Sequence, residues 1–158
     1  MFLEKKLKIF YSLIILLCLT SICYAFFVEY ILGYKPCILC KYQRAPYILA
    51  LIIGLIGFLK PLKERIIFFI FLIFLISMIL SGYHVGIEQD LYQSIFNCSD
   101  DNFSILEEGK LLESLIVINP DCRNVNFAVF GVSLATINFV LSFVISSVSY
   151  YLYSNAKN

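Results

Sequence analysis

The segment KPCILCKYQRAPY, residues 35–47, places two residues between Cys37 and Cys40 and follows them with Lys41 and Arg44. A C-x-x-C pair can ligate a metal, anchor a haem or cycle between dithiol and disulfide. Haem attachment wants a histidine directly after the second cysteine; Lys41 stands there, so that chemistry is excluded. Thiol–disulfide exchange needs a thiolate near ambient pH, a state that cations and helix N-termini favour. With Pro46 in the first turn of a helix, Cys40 sits just before the N-terminus. If the helix instead includes Cys40, Arg44 lies one turn on along the same face. Either geometry gives Cys40 a positive environment. Two further cysteines, Cys98 and Cys122, occur in a later polar stretch.

The elements that must position these sulfurs are apolar. The chain has 158 residues, one domain's worth; 61% are hydrophobic and 15% charged, and the mean hydropathy is +0.88. Such a composition belongs in a membrane. Four apolar runs are spaced along it, at about 7–28, 44–59, 66–83 and 127–153, with a short basic link at 60–65. The first is long enough to cross a hydrocarbon core of roughly 30 Å. It is also too long for a signal-peptide core and has no small-residue cleavage site after it, so it is expected to stay as an anchor. The second is short for a span, and its ends are expected to rest on interfacial aromatics such as Tyr42 and Tyr47. The expected fold is therefore an all-α membrane protein, a four-helix transmembrane bundle forming a single domain, 1–158.

Charge sets the expected orientation. Lys5, Lys6, Lys8, Lys60, Lys63, Arg65 and Lys157 share one side of a four-span arrangement. The other side carries the C-x-x-C loop, about 29–43, and a long loop, about 85–126, which is mainly acidic. The positive-inside rule then predicts cytoplasmic N- and C-termini and two outward-facing cysteine loops. Lys35, Lys41 and Arg44 run against that bias. Snorkelling toward headgroups accounts for Lys41 but not for two cations beside an outward dithiol. Within the long loop, Leu111 to Ile118 is too short to span and would lie on the bilayer surface or pack against the bundle.

Three stretches, PCILCKYQRAPYILALIIG, GYHVGIEQ and CRNVNFAVFGVSLATIN, resemble the disulfide bond formation protein B (DsbB) family, whose signature reads P-C-x-L-C-x-x-Q-R. The likeness runs in order along nearly the whole chain. It implies a bacterial inner-membrane thiol oxidase that reoxidises a periplasmic thioredoxin-fold partner of DsbA type and passes electrons to a quinone, ubiquinone or menaquinone. Carried onto this sequence, it implies that Cys98 pairs with the partner's cysteine during exchange and that Cys122 is its disulfide mate. Cys122 then attacks Cys37, leaving Cys40 as the thiolate facing the quinone, with Arg44 in the quinone site. Departures fall at Tyr92 and Phe127, near places where the family often has Trp, and at Leu134, where a Met is common.

Some residues stay open. His84, the single histidine, sits at the outward end of the third run; it would hydrogen-bond a quinone oxygen, shuttle a proton or make a structural hydrogen bond. Glu88 would partner it on a continued helix or stand solvated. Cys18 and Cys23 are expected to serve as small apolar packing residues. Glycosylation at the sequons of Asn97 and Asn102 is rejected, because a glycan would block docking beside Cys98.

Lipid and quinone are the expected non-protein partners, and no nucleic-acid partner is expected. No metal is expected either, since Cys98 and Cys122 lack the close spacing of a zinc knuckle. Two alternatives remain. One is a relative of vitamin K epoxide reductase, against which the order of the cysteines counts. The other is a non-enzymatic scaffold whose loops are held by disulfides or zinc.

Overall fold

The computed structural model describes residues 2–59, 63–91, 122, 128–129 and 131–157. Helix α1, Phe2–Phe26, continues into a π-helical turn, Phe27–Ile31. A short helix α2, Ile38–Tyr42, and helix α3, Arg44–Leu59, follow with only Gln43 between them. Helix α4 is Lys63–Glu88. The strands β1, Ala128–Val129, and β2, Val132–Ser133, pair antiparallel, and helix α5, Leu134–Lys157, closes the chain. Among the described residues, four helical segments are long and apolar enough to cross a membrane: Lys6–Ile31, Ile38–Leu59, Arg65–Glu88 and Leu134–Asn155. The protein is an all-α, multi-pass membrane bundle.

The element boundaries differ from those drawn on hydropathy, each for a local reason. The first helical segment runs past residue 28 because the π-turn keeps the chain hydrogen-bonded, with the Leu32 N–H donating to the Phe27 carbonyl at 3.2 Å. The second begins at Ile38, since Cys37 caps α2 with its side chain; 22 residues result, and the span is not short. Its aromatics do not form a belt as a pair. Tyr42 is exposed, whereas Tyr47 is buried and hydrogen-bonded in the interior. Helix α4 continues to Glu88 and stops in a Schellman motif. Asp90 takes φ 55°, the Leu91 N–H donates to the Gly86 carbonyl at 2.8 Å, and the Asp90 N–H donates to the Ile87 carbonyl at 3.1 Å. The fourth helix starts at Leu134 rather than 127, because a hairpin turning at Gly131, φ 81°, occupies the preceding residues.

Packing follows the logic of a bilayer rather than of water. Leu13, Leu16, Ile52, Ile76, Ile79, Phe143 and Val144 are exposed on the outer faces, where lipid covers them. Ser77, Ser81, Ser142, Ser146 and Ser149 are buried. Small polar side chains let α4 and α5 approach closely, and the Ser142 hydroxyl donates to Ser77 Oγ at 3.0 Å across that seam. The other large seam joins α1 to α3. A Cβ at Gly57 would lie 2.8 Å from Tyr11 Cε1 and 3.0 Å from Ile66 Cγ2, so only glycine fits there. Cys18 packs in this core, but Cys23 is exposed on the outer surface and does not pack inside.

Candidate redox site

At one end of the bundle, Cys37, Leu39, Ile87 and Cys122 form a buried cluster, with Cys40, Leu80 and Tyr83 packed against it. Three chain segments distant in sequence thus meet at the sulfurs. Cys37 is the N-cap of α2: its sulfur accepts from the Cys40 N–H at 3.3 Å, while its thiol donates to Cys40 Sγ at 2.9 Å. That donation, together with burial, pushes the Cys37 thiol up from its ordinary 9.0 to about 12; a hydrogen bond from His84 opposes the shift. Cys37 therefore keeps its proton at neutral pH, and Cys40 receives the hydrogen bond that a thiolate needs.

His84 lies 2% exposed beside the dithiol, its Nε2 3.6 Å from Cys37 Sγ and 3.8 Å from Glu88 Oε1. Glu88 reaches back because α4 stays helical through it, and its other oxygen accepts from the Ser133 hydroxyl at 2.5 Å. A ligand atom from each of Cys37, His84 and Cys122 falls within 4.8 Å of the others. His84 is thus placed among the sulfurs at the junction of the two cysteine-bearing segments.

Behind the imidazole runs a chain of buried polar groups that composition alone does not reveal. The Gln43 amide lies 3.0 Å from His84 Nδ1; Asn138 Nδ2 donates to Gln43 Oε1 at 3.0 Å; the Tyr47 hydroxyl donates to Asn138 Oδ1 at 2.6 Å. In this direction Gln43 donates to Nδ1, which leaves the ring proton on Nε2, facing Cys37 and Glu88. If both amides turn over, Gln43 Oε1 accepts from Nδ1–H and the Nε2 lone pair faces the sulfurs instead. The chain ties α3 and α5 to α4 and fixes the ring in either state.

Arg44 lines a cavity of about 210 Å³ together with Cys40, His84, Glu88, Asn138 and Leu134; α1 and α5 supply much of the remaining wall, and Glu29, Lys35 and Gln43 add polar groups. Its guanidinium does not supply the charge beside Cys40 that the sequence suggested. It donates instead to the Glu29 carboxylate in the π-turn and lies 5.1 Å from the centroid of the Phe26 ring. Among the described residues no hydrogen bond joins it to Cys40. Lys41 is exposed. The dithiol is polarised from within, by Cys37, and the arginine faces the cavity.

Of the residues singled out in the sequence, Cys37, Cys40, Cys122, Arg44 and His84 converge on this end of the bundle. Cys98 lies outside the described residues, as do the segment 111–118, both sequons, Tyr92 and Phe127. Glu29, Gln43, Tyr47 and Asn138 were not marked as site residues. A signal exists for Asn138, an amide within the fourth apolar run and costly there unless paired, whereas Glu29 and Gln43 fall just outside the runs drawn on hydropathy.

Comparison with known proteins agrees with the geometry. The family model described as Disulfide bond formation protein DsbB matches residues 7–152. A protein of Rickettsia prowazekii (strain Madrid E), named Uncharacterized protein RP370, is 26% identical over 145 residues, 88% of this chain and 83% of its own. Disulfide bond formation protein B of Pseudoalteromonas translucida (strain TAC 125) is 26% identical over 116 residues, 70% of this chain and 67% of its own. The protein of the same name from Polaromonas sp. (strain JS666 / ATCC BAA-500) is 23% identical over 136 residues, covering 82% and 80%.

Proposed function

Because this chain belongs to the DsbB family of membrane disulfide bond formation proteins, we propose that it oxidises a thioredoxin-fold dithiol of DsbA type and delivers the electrons to a membrane quinone. The observation that carries the reading is the meeting of Cys122 with the Cys37–Cys40 pair in one buried cluster at the mouth of an intramembrane cavity. A static staple would gain nothing from a third sulfur, an imidazole and a cavity at the same point.

The roles are those that the family resemblance implies. Cys98 exchanges with the partner and Cys122 is its mate. The Cys122 thiolate attacks Cys37 Sγ, the Cys37–Cys40 bond breaks, and Cys40 leaves as the thiolate. The partner's second thiolate frees Cys98 as the partner's own disulfide forms, and Cys98 then re-pairs with Cys122 and expels Cys37. The Cys37–Cys40 pair is left as a dithiol whose reoxidation re-forms its disulfide. The two electrons and two protons of each dithiol oxidised must reach an acceptor. The cavity suits a quinone head group: its walls are mainly apolar with a few polar groups, it carries Cys40 and Arg44 on its lining, and it is smaller than the roughly 300–1,000 Å³ of a drug-sized pocket. A bound quinone supplies two-electron, two-proton acceptance. Arg44 would hold developing negative charge on its oxygens, and His84, 3.6 Å from Cys37 Sγ, would carry the thiol proton toward the same space.

The reading places the protein in a bacterial inner membrane with both termini cytoplasmic and the redox end periplasmic. It is supported by Lys6, Lys8 and Arg65, which lie at the opposite end of their helices from the cysteines. The test is capture. Cys122→Ala removes the mate that resolves the exchange, so Cys98 should accumulate as a mixed disulfide with a DsbA-type partner; absence of an adduct dependent on Cys98 would count against it.

A further inference from the structure

The sulfur cluster has a second chemical capacity that redox cycling does not use. Cys37, Cys122 and His84 are all buried, and one ligand atom from each lies within 4.8 Å of the other two. Cys40 Sγ, 2.9 Å from Cys37 Sγ, lies outside that group of three and becomes a fourth donor by moving about 1 Å away from Cys37. In tetrahedral zinc coordination, metal–sulfur and metal–nitrogen bonds of about 2.3 and 2.0 Å set sulfur–nitrogen separations of about 3.5 Å and sulfur–sulfur separations of about 3.8 Å. The observed 3.6 Å between Cys37 Sγ and His84 Nε2 already matches. We propose that the fully reduced protein holds one soft, thiolate-seeking divalent cation, of zinc or cadmium type, in a three-sulfur, one-imidazole site made by Cys37, Cys40, Cys122 and His84.

Along the chain, Cys98 and Cys122 are too far apart for a zinc knuckle. Folding replaces that pair with another: Cys122 comes to the C-x-x-C, and α4 supplies a nitrogen between them. The support behind the imidazole is of the kind metal sites require, since a ligating histidine needs its other ring nitrogen held. Gln43, in the reversed direction of the amide chain, accepts a hydrogen bond from Nδ1–H through its Oε1, which turns the Nε2 lone pair to the ion. Thiolate donors and a tetrahedral set favour zinc or cadmium over magnesium or calcium.

Occupation changes no oxidation state. Each ligating thiol gives up its proton to solvent as its sulfur binds, and no electron moves. Oxidation to the Cys37–Cys40 disulfide removes two of the donors, so the site exists only while the protein is reduced. If the proposed thiol oxidase function holds, a bound ion silences both Cys122 and Cys40 until it is chelated, a metal lock on the reduced protein. Binding itself does not depend on that function.

The experiment uses the full-length detergent-solubilised protein, reduced, freed of reductant under anaerobic conditions and titrated with cadmium or cobalt(II) against a competing chelator. Thiolate-to-metal charge-transfer absorption and bound metal per chain are recorded, with neither quinone nor partner present. One ion per chain is expected, with no site in the disulfide form of the same protein, a comparison that needs no variant. His84→Ala and Cys122→Ser should each weaken binding at least tenfold, and Gln43→Leu by about 10- to 100-fold. Cys98→Ser, which removes none of the four proposed donors, should leave affinity unchanged. Equal affinity in wild type, His84→Ala and Cys122→Ser would reduce the site to chelation by the C-x-x-C alone and overturn the proposal, as would undiminished binding by the oxidised protein. A failure of quinone reduction with metal binding intact would refute the functional reading and leave this one standing.

Discussion

The guanidinium of Arg44 is bound to the carboxylate of Glu29, which joins the π-helical end of α1 to the first turn of α3 on the rim of the cavity. An arginine anchored in this way keeps a fixed position and offers its remaining N–H groups to a ligand. Arg44→Ala should therefore raise the apparent KM for quinone by about 10- to 100-fold, the range of a charge-assisted hydrogen bond, and leave the KM for the thiol partner unchanged. Glu29→Ala should move the quinone KM in the same direction while retaining the arginine. Steady-state kinetics varying each substrate in turn checks both; equal effects on the two KM values would remove Arg44 from the quinone site.

The two cysteines of the C-x-x-C should differ in reactivity. Cys37 is 4% exposed and its thiol is held up to about 12 by the hydrogen bond to Cys40 and by burial. Its folded value lies above the ordinary 9.0, so the retained proton favours the folded state below about pH 9, and that contribution is lost as pH rises toward 12. In the reduced protein at pH 8, a thiolate-selective alkylating reagent should label Cys40 well before Cys37. Peptide mapping after timed quenching measures the order, and faster labelling of Cys37 would contradict the assignment.

How much of this was legible beforehand varies by residue. The bundle was written in the apolar runs, because a bilayer admits few solutions to backbone hydrogen bonding, and the C-x-x-C with Arg44 announced itself by residue type. The approach of Cys122 to Cys37 was not written in spacing; it depends on tertiary packing against α2 and α4, and the resemblance alone had implied it. The partner of Arg44 was hidden because Glu29 sits where hydropathy had ended the span and the π-turn had not. His84 was visible but ambiguous. Only packing shows that Gln43 and Asn138, forty-one and fifty-four residues from it in sequence, hold its ring.

That support is testable without touching a sulfur. Gln43→Leu leaves His84 Nδ1 without its partner, and Asn138→Leu removes the next link. Each should lower kcat for partner oxidation by about tenfold, equivalent to roughly 1.4 kcal/mol, with little change in the KM for the partner. The pH–rate profile should shift as well, which a merely structural defect would not produce. Asn138→Gln, which keeps an amide, should recover part of the loss. An unmoved pH profile would make the chain structural only.

On the far side of the bundle, Gly57 fixes the seam between α1 and α3. Gly57→Val forces Tyr11 or Ile66 to move, and overpacking of this kind costs about 1–3 kcal/mol. Thermal unfolding in detergent should show a lower midpoint, with the labelling order of Cys37 and Cys40 preserved in the protein that stays folded. An unchanged midpoint would mean that the seam is looser than its geometry.

The central claim is that electrons taken from a protein dithiol leave through Cys40 to a quinone. The most direct measurement is anaerobic and stoichiometric: purified protein is mixed with a reduced thioredoxin-fold partner of DsbA type and a quinone, and quinol and partner disulfide are counted together. One quinol per partner disulfide is the predicted result, abolished by Cys40→Ser and by Cys98→Ser. Partner oxidation without loss of quinone would contradict the account.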